Sequence, residues 1–394
     1  MSHENHVGAL IDYLVDAHVL DRANPWVEAL QAVPRHRFVP DVAWAEPMDD
    51  RPEHLINRQV DPAAWWDAIY SNTAIITQRG NGTAELTDRS SAPTSSLSCP
   101  HVAVEFLQLL DLAPHHRVLE IGTGTGWTAA MLTHRVGDHR VTTIEVDRAV
   151  AAVAVANLKE AEAAPAALVG DGSAGHPDHA PYDRVHVTCG VRDIPYAWVE
   201  QTRPGGVIVL PWMPPGQPFG MRLRLDVLDD GTAIGRPTGG ASFMMLRSQR
   251  LPTTWPGYPD GGALSETHFH PHTAHAARWT GFGPYLAAAA PHLLVTTAGW
   301  EQGDDEAWRW VTRLRSTDSA AWGIAEVAES GGMTVVRQGG AHTLWDDYER
   351  AYMNWLKAGS PAPERLGFTV TPAGQHMWLD SPDQVVEPVR RWRR

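Results

Sequence analysis

The sequence predicts an α/β fold: a doubly wound, Rossmann-like sheet domain followed by an α+β C-terminal extension. Three observations predict it. Between residues 100 and 247, short apolar runs alternate with segments of helical periodicity, the pattern of a parallel sheet with helices on both faces. One of those runs feeds a turn whose glycines alternate strictly, Gly122, Gly124 and Gly126. After Arg250 the composition shifts to Pro, Gly and His, which marks a boundary. At 394 residues the chain is long for one compact unit. The expected organisation is a helical and irregular segment over 1–95, the sheet domain over 96–250, and a separate α+β module over 251–394 that serves substrate recognition.

Taken in order, Val7, Leu10, Ile11, Leu14 and Val15 recur at helical spacing over 7–20. Asn24 followed by Pro25 reads as the cap and first turn of a second helix, which must stop by Pro34 because proline has no amide proton to donate. Residues 45–97 are dominated by Pro, Asp, Asn, Ser and Thr, with one β-like run at 73–77, and read as an irregular approach to the site. Helices follow over 102–112, 128–134 and 149–162. Strands follow over 117–121, 141–146, 167–169, 184–188 and 207–211. The runs 223–228 and 241–246 suit antiparallel edge strands. In the extension the clearest helix is 343–357, and the stretches 368–370 and 376–379 around Pro372-Ala373-Gly374 form a hairpin.

Bulk properties narrow the partners. A net charge of -14 argues against nucleic acid, which needs a basic face, and against anionic membranes. The basic tail Arg390, Arg391, Arg393 and Arg394 reads as a solvated end. The two cysteines, Cys99 and Cys189, form neither a disulfide framework nor a zinc spacing. His268, His270, His272 and His275 cluster without an acid or cysteine at ligand spacing, so a polar loop is expected and no metal. No signal segment and no apolar run of membrane-spanning length is visible, and a cytoplasmic location is expected. Some of the 17 Trp residues are candidates for lining a peptide-binding surface.

The sharpest local signal is Val118-Leu119-Glu120-Ile121-Gly122-Thr123-Gly124-Thr125-Gly126-Trp127. A strand, a glycine-rich turn and a helix N-terminus form a ligand cradle. A dinucleotide fingerprint would space its glycines differently, as Gly-x-Gly-x-x-Gly. Glu120 would also repel a pyrophosphate, whereas it suits the ammonium of a methionine moiety, directly or through water. The next strand ends at Glu145-Val146, where an acid accepts from ribose hydroxyls, and the third ends at Asp171-Gly172, placed for an adenine amino group. Three acids after three consecutive strands point to S-adenosylmethionine, held by Glu120, Gly122, Thr123, Gly124, Gly126, Trp127, Glu145, Val146, Asp171 and Gly172.

These residues resemble the protein-L-isoaspartate O-methyltransferase family over roughly 7–215. Val33-Pro34-Arg35-His36-Arg37-Phe38-Val39-Pro40 resembles its N-terminal signature, and Ser96-Leu97-Ser98-Cys99-Pro100-His101 its Thr-Ile-Ser-x-Pro substrate motif. Gly170-Asp171-Gly172, Ala180-Pro181-Tyr182-Asp183, Ile194-Pro195 and Arg203-Pro204-Gly205-Gly206 continue it in order. A second Ser-x-Pro stands at Ser91-Ala92-Pro93, but Ser98 lies at the family's distance from the glycine turn. Three departures stand out: the lead into Ser98 is not glycine-rich, Thr188-Cys189-Gly190 replaces a Thr-Ala-Ala type segment, and the chain continues past 250. The ending resembles extended relatives found beside the ATP-grasp enzymes of ribosomal-peptide (graspetide) maturation.

The resemblance implies an S-adenosylmethionine-dependent O-methyltransferase that esterifies an Asp or isoAsp carboxylate in a peptide. A carboxylate is already ionised at pH 7, so the site needs positioning more than a general base. Ser98 is the candidate orienting residue, with Pro100 and His101 lining the acceptor site and backbone amides around them assisting. A helix cap is the plainer role for Ser98. The methyl ester can then close to a succinimide. The expected substrate is a crosslinked precursor peptide; the alternatives are isoaspartate repair with an extra domain, and a non-catalytic peptide-binding adaptor.

Overall fold

A computed structural model describes residues 3–217, 219–252 and 257–389. Its centre is a nine-stranded sheet whose spatial order is Gly374–Leu379, Leu366–Thr371, Ala233–Ala241, Gly220–Val227, Thr202–Trp212, Tyr182–Val187, Val118–Ile121, Val141–Glu145 and Ala166–Val169. The last five are parallel and the first four antiparallel additions. From Val118–Ile121 the chain winds outward through Val141–Glu145 to Ala166–Val169, then returns to the other side with Tyr182–Val187. Strand order reverses at Val118–Ile121, and the crevice beyond the strands' carboxyl ends at such a switch point is where open α/β sheets bind ligands.

Local chemistry sets the helices around this sheet. Asn24 caps Pro25–Ala32 by accepting from the Trp26 amide, as the Asn-Pro pair predicts. Asp147 caps Arg148–Glu160 through the Ala149 amide at 2.9 Å and the Val150 amide at 3.3 Å, while Ala151, Ala154 and Leu158 turn inward. Helices His3–Asp16, Pro100–Leu109 and Trp127–Val136 occupy the predicted stretches with shifted ends.

The stretch expected to be irregular is instead a second sheet. Strands His54–Asn57, Val42–Pro47, Thr73–Arg79 and Pro93–Leu97 pair antiparallel in that order, with helix Pro62–Tyr70 packed against them. Trp44 and Ile76 are buried beside Ala43, Ala45, Ile56 and Ile75, so these short strands carry no clean inward–outward alternation to read in sequence.

The extension builds a five-stranded antiparallel sheet in the order Ala263–Thr267, Thr334–Gly339, Trp322–Ala328, Trp308–Ser316 and Leu293–Gln302, with helix Leu344–Lys357 laid on it. The hairpin Leu366–Thr371 and Gly374–Leu379 does something different. It joins the central sheet, with Ala233 opposite Val370 and Gly235 opposite Phe368. The pair Gly220–Val227 and Ala233–Ala241 is therefore interior rather than the expected edge, and its second strand ends where 241–246 was expected to begin. Phe368 is wholly buried and meets Trp212 edge-on at 4.9 Å. One apolar cluster runs from Leu119 and Val185 through Phe368 to Phe282 and Tyr348.

The histidine cluster is not a loop throughout. Helix Pro271–Ala277 presents His272 and His275 to Trp310 at 4.9 and 5.1 Å. Among the described residues no three His, Cys, Asp or Glu gather as metal ligands, and no helix is long and apolar enough to cross a membrane. Most described Trp residues are buried, with Trp279, Trp300 and Trp308 exposed on the extension. The basic tail from Arg390 lies outside the described residues.

Candidate active site

The glycine turn lies where the parallel strands end. Gly122 has φ +93°, and a Cβ on it would stand 2.5 Å from the Thr188 hydroxyl, which donates to the Ile121 carbonyl at 3.0 Å and to the Gly122 carbonyl. Gly124 has φ +55°, and a Cβ there would lie 3.2 Å from the Ser96 carbonyl oxygen. Both positions need glycine, one for the strand end beside the turn and one for the strand that crosses over it. Trp127, the first residue of the following helix, is buried and donates its indole N–H to the Val33 carbonyl at 3.1 Å.

The three predicted acids take different places. Glu145 spans the rim: one carboxylate oxygen accepts the Gly124 amide at 3.0 Å and the other the Asp147 amide at 3.0 Å. Each oxygen keeps a lone pair for a further donor, which fits ribose hydroxyls. Asp171 is exposed, accepting from the Ser173 amide at 2.9 Å and the Ser248 hydroxyl at 3.4 Å. Beside them Val146 is 38% exposed, an apolar surface between the two acids in sequence. The Gly172 carbonyl accepts from the Trp198 indole at 2.8 Å, which fixes the turn after Asp171.

Glu120 departs from the expected rim position. It is fully buried, accepting from the Thr143 hydroxyl at 2.8 Å, with His186 Nδ1 at 3.3 Å. Thr143 in turn shares a hydrogen bond with Thr123 at 2.7 Å. Its strand is covered on both faces, so a side chain there is enclosed whatever its polarity. The carboxylate holds the turn from beneath, and Thr123 reaches it through that chain. Asp147, which the sequence reading passed over, is at the rim instead, joined to Gln78 at 3.4 Å and Arg247 at 3.2 Å.

The strand Pro93–Leu97 brings Ser96 over the turn and Ser98 just beyond it. Cys99, not Ser98, occupies the cap position of helix Pro100–Leu109. The half-buried Ser98 hydroxyl has no hydrogen-bond partner among the described residues, whereas Ser91 is tied to Asp88 at 2.7 Å. Of the amides around it, Pro100 has no N–H to give and that of His101 is taken by Asn72 at 3.2 Å. His101 also lies 3.7 Å from Glu105.

The residue that sequence reasoning missed is Arg35. It is wholly buried, donating to the carbonyls of Ile69 at 2.8 Å, Thr73 at 2.8 Å and Ser98 at 2.7 Å, with its guanidinium 4.7 Å above the Trp127 ring. Burial brings its pKa down to about 9. It ties the N-terminal signature, the Ser98 backbone and the turn's helix into one unit. The only prior signal was its place in the Val33–Pro40 motif. On the far side, Cys189 follows Thr188; burial, with Glu145 and Asp171 nearby, pushes its thiol up to about 12, so it stays neutral.

An open sheet with a glycine turn at its switch point, and acceptor carboxylates at the ends of successive strands, is the arrangement of an S-adenosylmethionine-dependent methyltransferase. A model of the family "Protein-L-isoaspartate(D-aspartate) O-methyltransferase" matches residues 5–250. The chain belongs to that family. It is a protein carboxyl O-methyltransferase and its cofactor is S-adenosylmethionine. A protein-L-isoaspartate O-methyltransferase of Methanopyrus kandleri is 34% identical over 229 residues, 57% of this chain and 84% of the relative. One from Methanosarcina mazei is 32% identical over 207 residues, 52% of this chain and 68% of the relative. A solved structure titled protein-L-isoaspartate O-methyltransferase aligns over 96% of this chain and 100% of its own, with TM-score 0.51 and 18% identity. At that identity it speaks for the fold, and the fold it shares includes the extension.

Proposed function

We propose that the acceptor is the carboxylate of an aspartyl or isoaspartyl residue in a peptide, oriented by Ser98. The observation that carries this is the uncommitted Ser98 hydroxyl, held over the glycine turn by the Arg35 bond to its own carbonyl and by the approach of Ser96 to Gly124. Glu145, Asp171, Val146 and the 122–126 turn would hold the cofactor, which when bound supplies an electrophilic methyl group. The chain's own work is then to align an anion. An acceptor carboxylate of ordinary pKa is ionised at pH 7 and needs no base. The neutral Cys189 thiol and the inward-facing Glu120 remove no proton from it; the Ser98 O–H donates to one carboxylate oxygen and leaves the other to react.

Downstream chemistry separates two readings. In the first, the substrate is an aspartate of a crosslinked ribosomal peptide. The next backbone amide nitrogen attacks the ester carbonyl, methanol leaves with the amide proton, and the succinimide is the product. The likeness of the chain's ending to relatives found beside ribosomal-peptide maturation enzymes supports this reading. In the second, the acceptor is isoaspartate in damaged proteins, which the names of the Methanopyrus and Methanosarcina relatives support, along with the shared fold of the extension.

The test offers labelled S-adenosylmethionine with an isoaspartyl peptide, its aspartyl twin and a crosslinked precursor peptide, followed by mass spectrometry. Methyl transfer to the crosslinked peptide alone, then methanol loss, is the result expected on the first reading. Broad isoaspartyl transfer establishes the second. Absence of transfer to all three overturns the proposal, and Ser98→Ala with unchanged kcat and KM overturns the role of Ser98.

A further inference from the structure

The acceptor is an anion, yet the rim it must cross is acidic, with Glu145 and Asp147 at the end of one strand and Asp171 after the next. Arg192, Arg247 and Arg250 stand on the segments around that rim. Arg247 is committed to Asp147 at 3.2 Å, and Arg192 to Asp193 at 2.7 Å. Among the described residues Arg250 has no carboxylate partner; its Nη1 donates to Asn81 Oδ1 at 2.8 Å. A guanidinium carries five N–H donors in a fork that matches a carboxylate, so most of its capacity is uncommitted.

Its backbone is anchored along one wall of the crevice. The Gly190 amide donates to the Met244 carbonyl and the Leu246 amide to the Gly190 carbonyl, both at 2.8 Å. Gln249 Oε1 takes the amides of Arg192 at 2.8 Å and Asp193 at 3.0 Å. The segment thus lies beside Thr188-Cys189-Gly190, and Arg250 and Cys189 are close enough to influence each other's charge. Asn81 stands on the opposite wall, in the turn before Pro93–Leu97, where its amide donates to Thr94 at 3.1 Å. Arg250 therefore bridges the strand that delivers Ser98 and the strand end that meets the glycine turn. Partial burial and the neighbouring Arg247 hold it below the ordinary arginine range, a penalty that an arriving anion relieves.

We propose that Arg250 is the anion-recognition residue of this site, pairing with the ionised acceptor carboxylate as it docks toward Ser98. This rests on the proposed function. Esterification removes the negative charge, so the guanidinium favours the substrate over the ester and assists release of product.

The test is steady-state methylation of an accepted peptide by the full chain and by Arg250→Gln and Arg250→Lys, with S-adenosylhomocysteine affinity measured by calorimetry. Loss of a charge-assisted pair made in the ground state raises KM by roughly 10- to 100-fold in Arg250→Gln with kcat held or raised. Arg250→Lys recovers part of the loss, and S-adenosylhomocysteine binds all three alike. A KM within twofold of wild type in Arg250→Gln, or an equal loss of S-adenosylhomocysteine affinity, overturns this inference while leaving the methyl-transfer reading intact. Wild-type protein that methylates no peptide overturns that reading, and this one with it.

Discussion

Phe368→Ala separates an integral extension from a passenger. Phe368 lies in the C-terminal hairpin, is 0% exposed, and meets Trp212 of the catalytic sheet at 4.9 Å. Truncating a buried Phe costs about 3–5 kcal/mol, from lost transfer energy and the cavity left behind. Unfolding entropy of about 2.1 cal/mol/K per residue gives roughly 0.8 kcal/mol/K over 394 residues, so about 4 kcal/mol lowers Tm by about 5 °C if the chain melts as one unit. Scanning calorimetry with and without S-adenosylhomocysteine reads this directly. Ligand raises the melting temperature of whatever unit contains its site. The expected result is one endotherm, lowered by the substitution and raised by ligand. Two endotherms, with Phe368→Ala lowering only the one that ligand fails to move, would refute a shared core.

Three further outcomes follow from the site. Gly122→Ala puts a Cβ 2.5 Å from the Thr188 hydroxyl at φ +93°, and strain of about 1–3 kcal/mol should weaken S-adenosylhomocysteine binding by roughly 5- to 150-fold by calorimetry while the fold persists by circular dichroism. Glu145→Gln weakens the acceptor that meets the Gly124 amide and removes the charge offered to ribose hydroxyls; S-adenosylhomocysteine affinity should fall about 10-fold, and unchanged affinity would remove Glu145 from the cofactor site. His36 Nδ1 lies 2.7 Å from the Tyr70 hydroxyl, and burial, then His3, Arg37, Arg58 and His6, bring its pKa from 6.5 to about 4. The unfolded chain takes up that proton first, so stability declines as pH falls through 6.5 and levels off below about 4. Discounted for partial exposure, the loss is about 1–2 kcal/mol, and denaturant midpoints at pH 7 and pH 5 should show it for wild type and less of it for His36→Gln.

Much of the fold was legible where local chemistry decides it. Asn24-Pro25 encodes a cap and first turn without outside help, and Gly122 to Gly126 announce a turn because few other residues can make one. The sheet built by residues 42–97 escaped because its short strands bury consecutive residues such as Ala43-Trp44-Ala45 and Ile75-Ile76, so no period of two survives long enough to read. Arg35 sits in an Arg-His-Arg run that looks solvated; its three acceptors come from residues 69, 73 and 98, which only folding assembles. Glu120 was read correctly as a strand-end acid, but depth belongs to the layers above and below the sheet. Arg250 escaped for the opposite reason: its meaning lies in the carboxylate it does not contact.

The hairpin Leu366–Leu379 also decides what becomes of the sheet's outer border. Ala233–Ala241, with Gly235, Pro237, Gly239 and Gly240, is a poor strand on its own and would end the sheet with bare backbone donors and acceptors. The hairpin covers it, and residues 384–386 then fold back along Gly374–Leu379, where the Leu379 amide donates to the Gln384 carbonyl at 2.8 Å and the Val386 amide to the Met377 carbonyl at 2.9 Å. The extension thus works as a selvedge that stops sheets from knitting together between molecules. A protein trimmed at residue 250 would lose that finish, and its insolubility would say nothing about whether the excised part touches substrate.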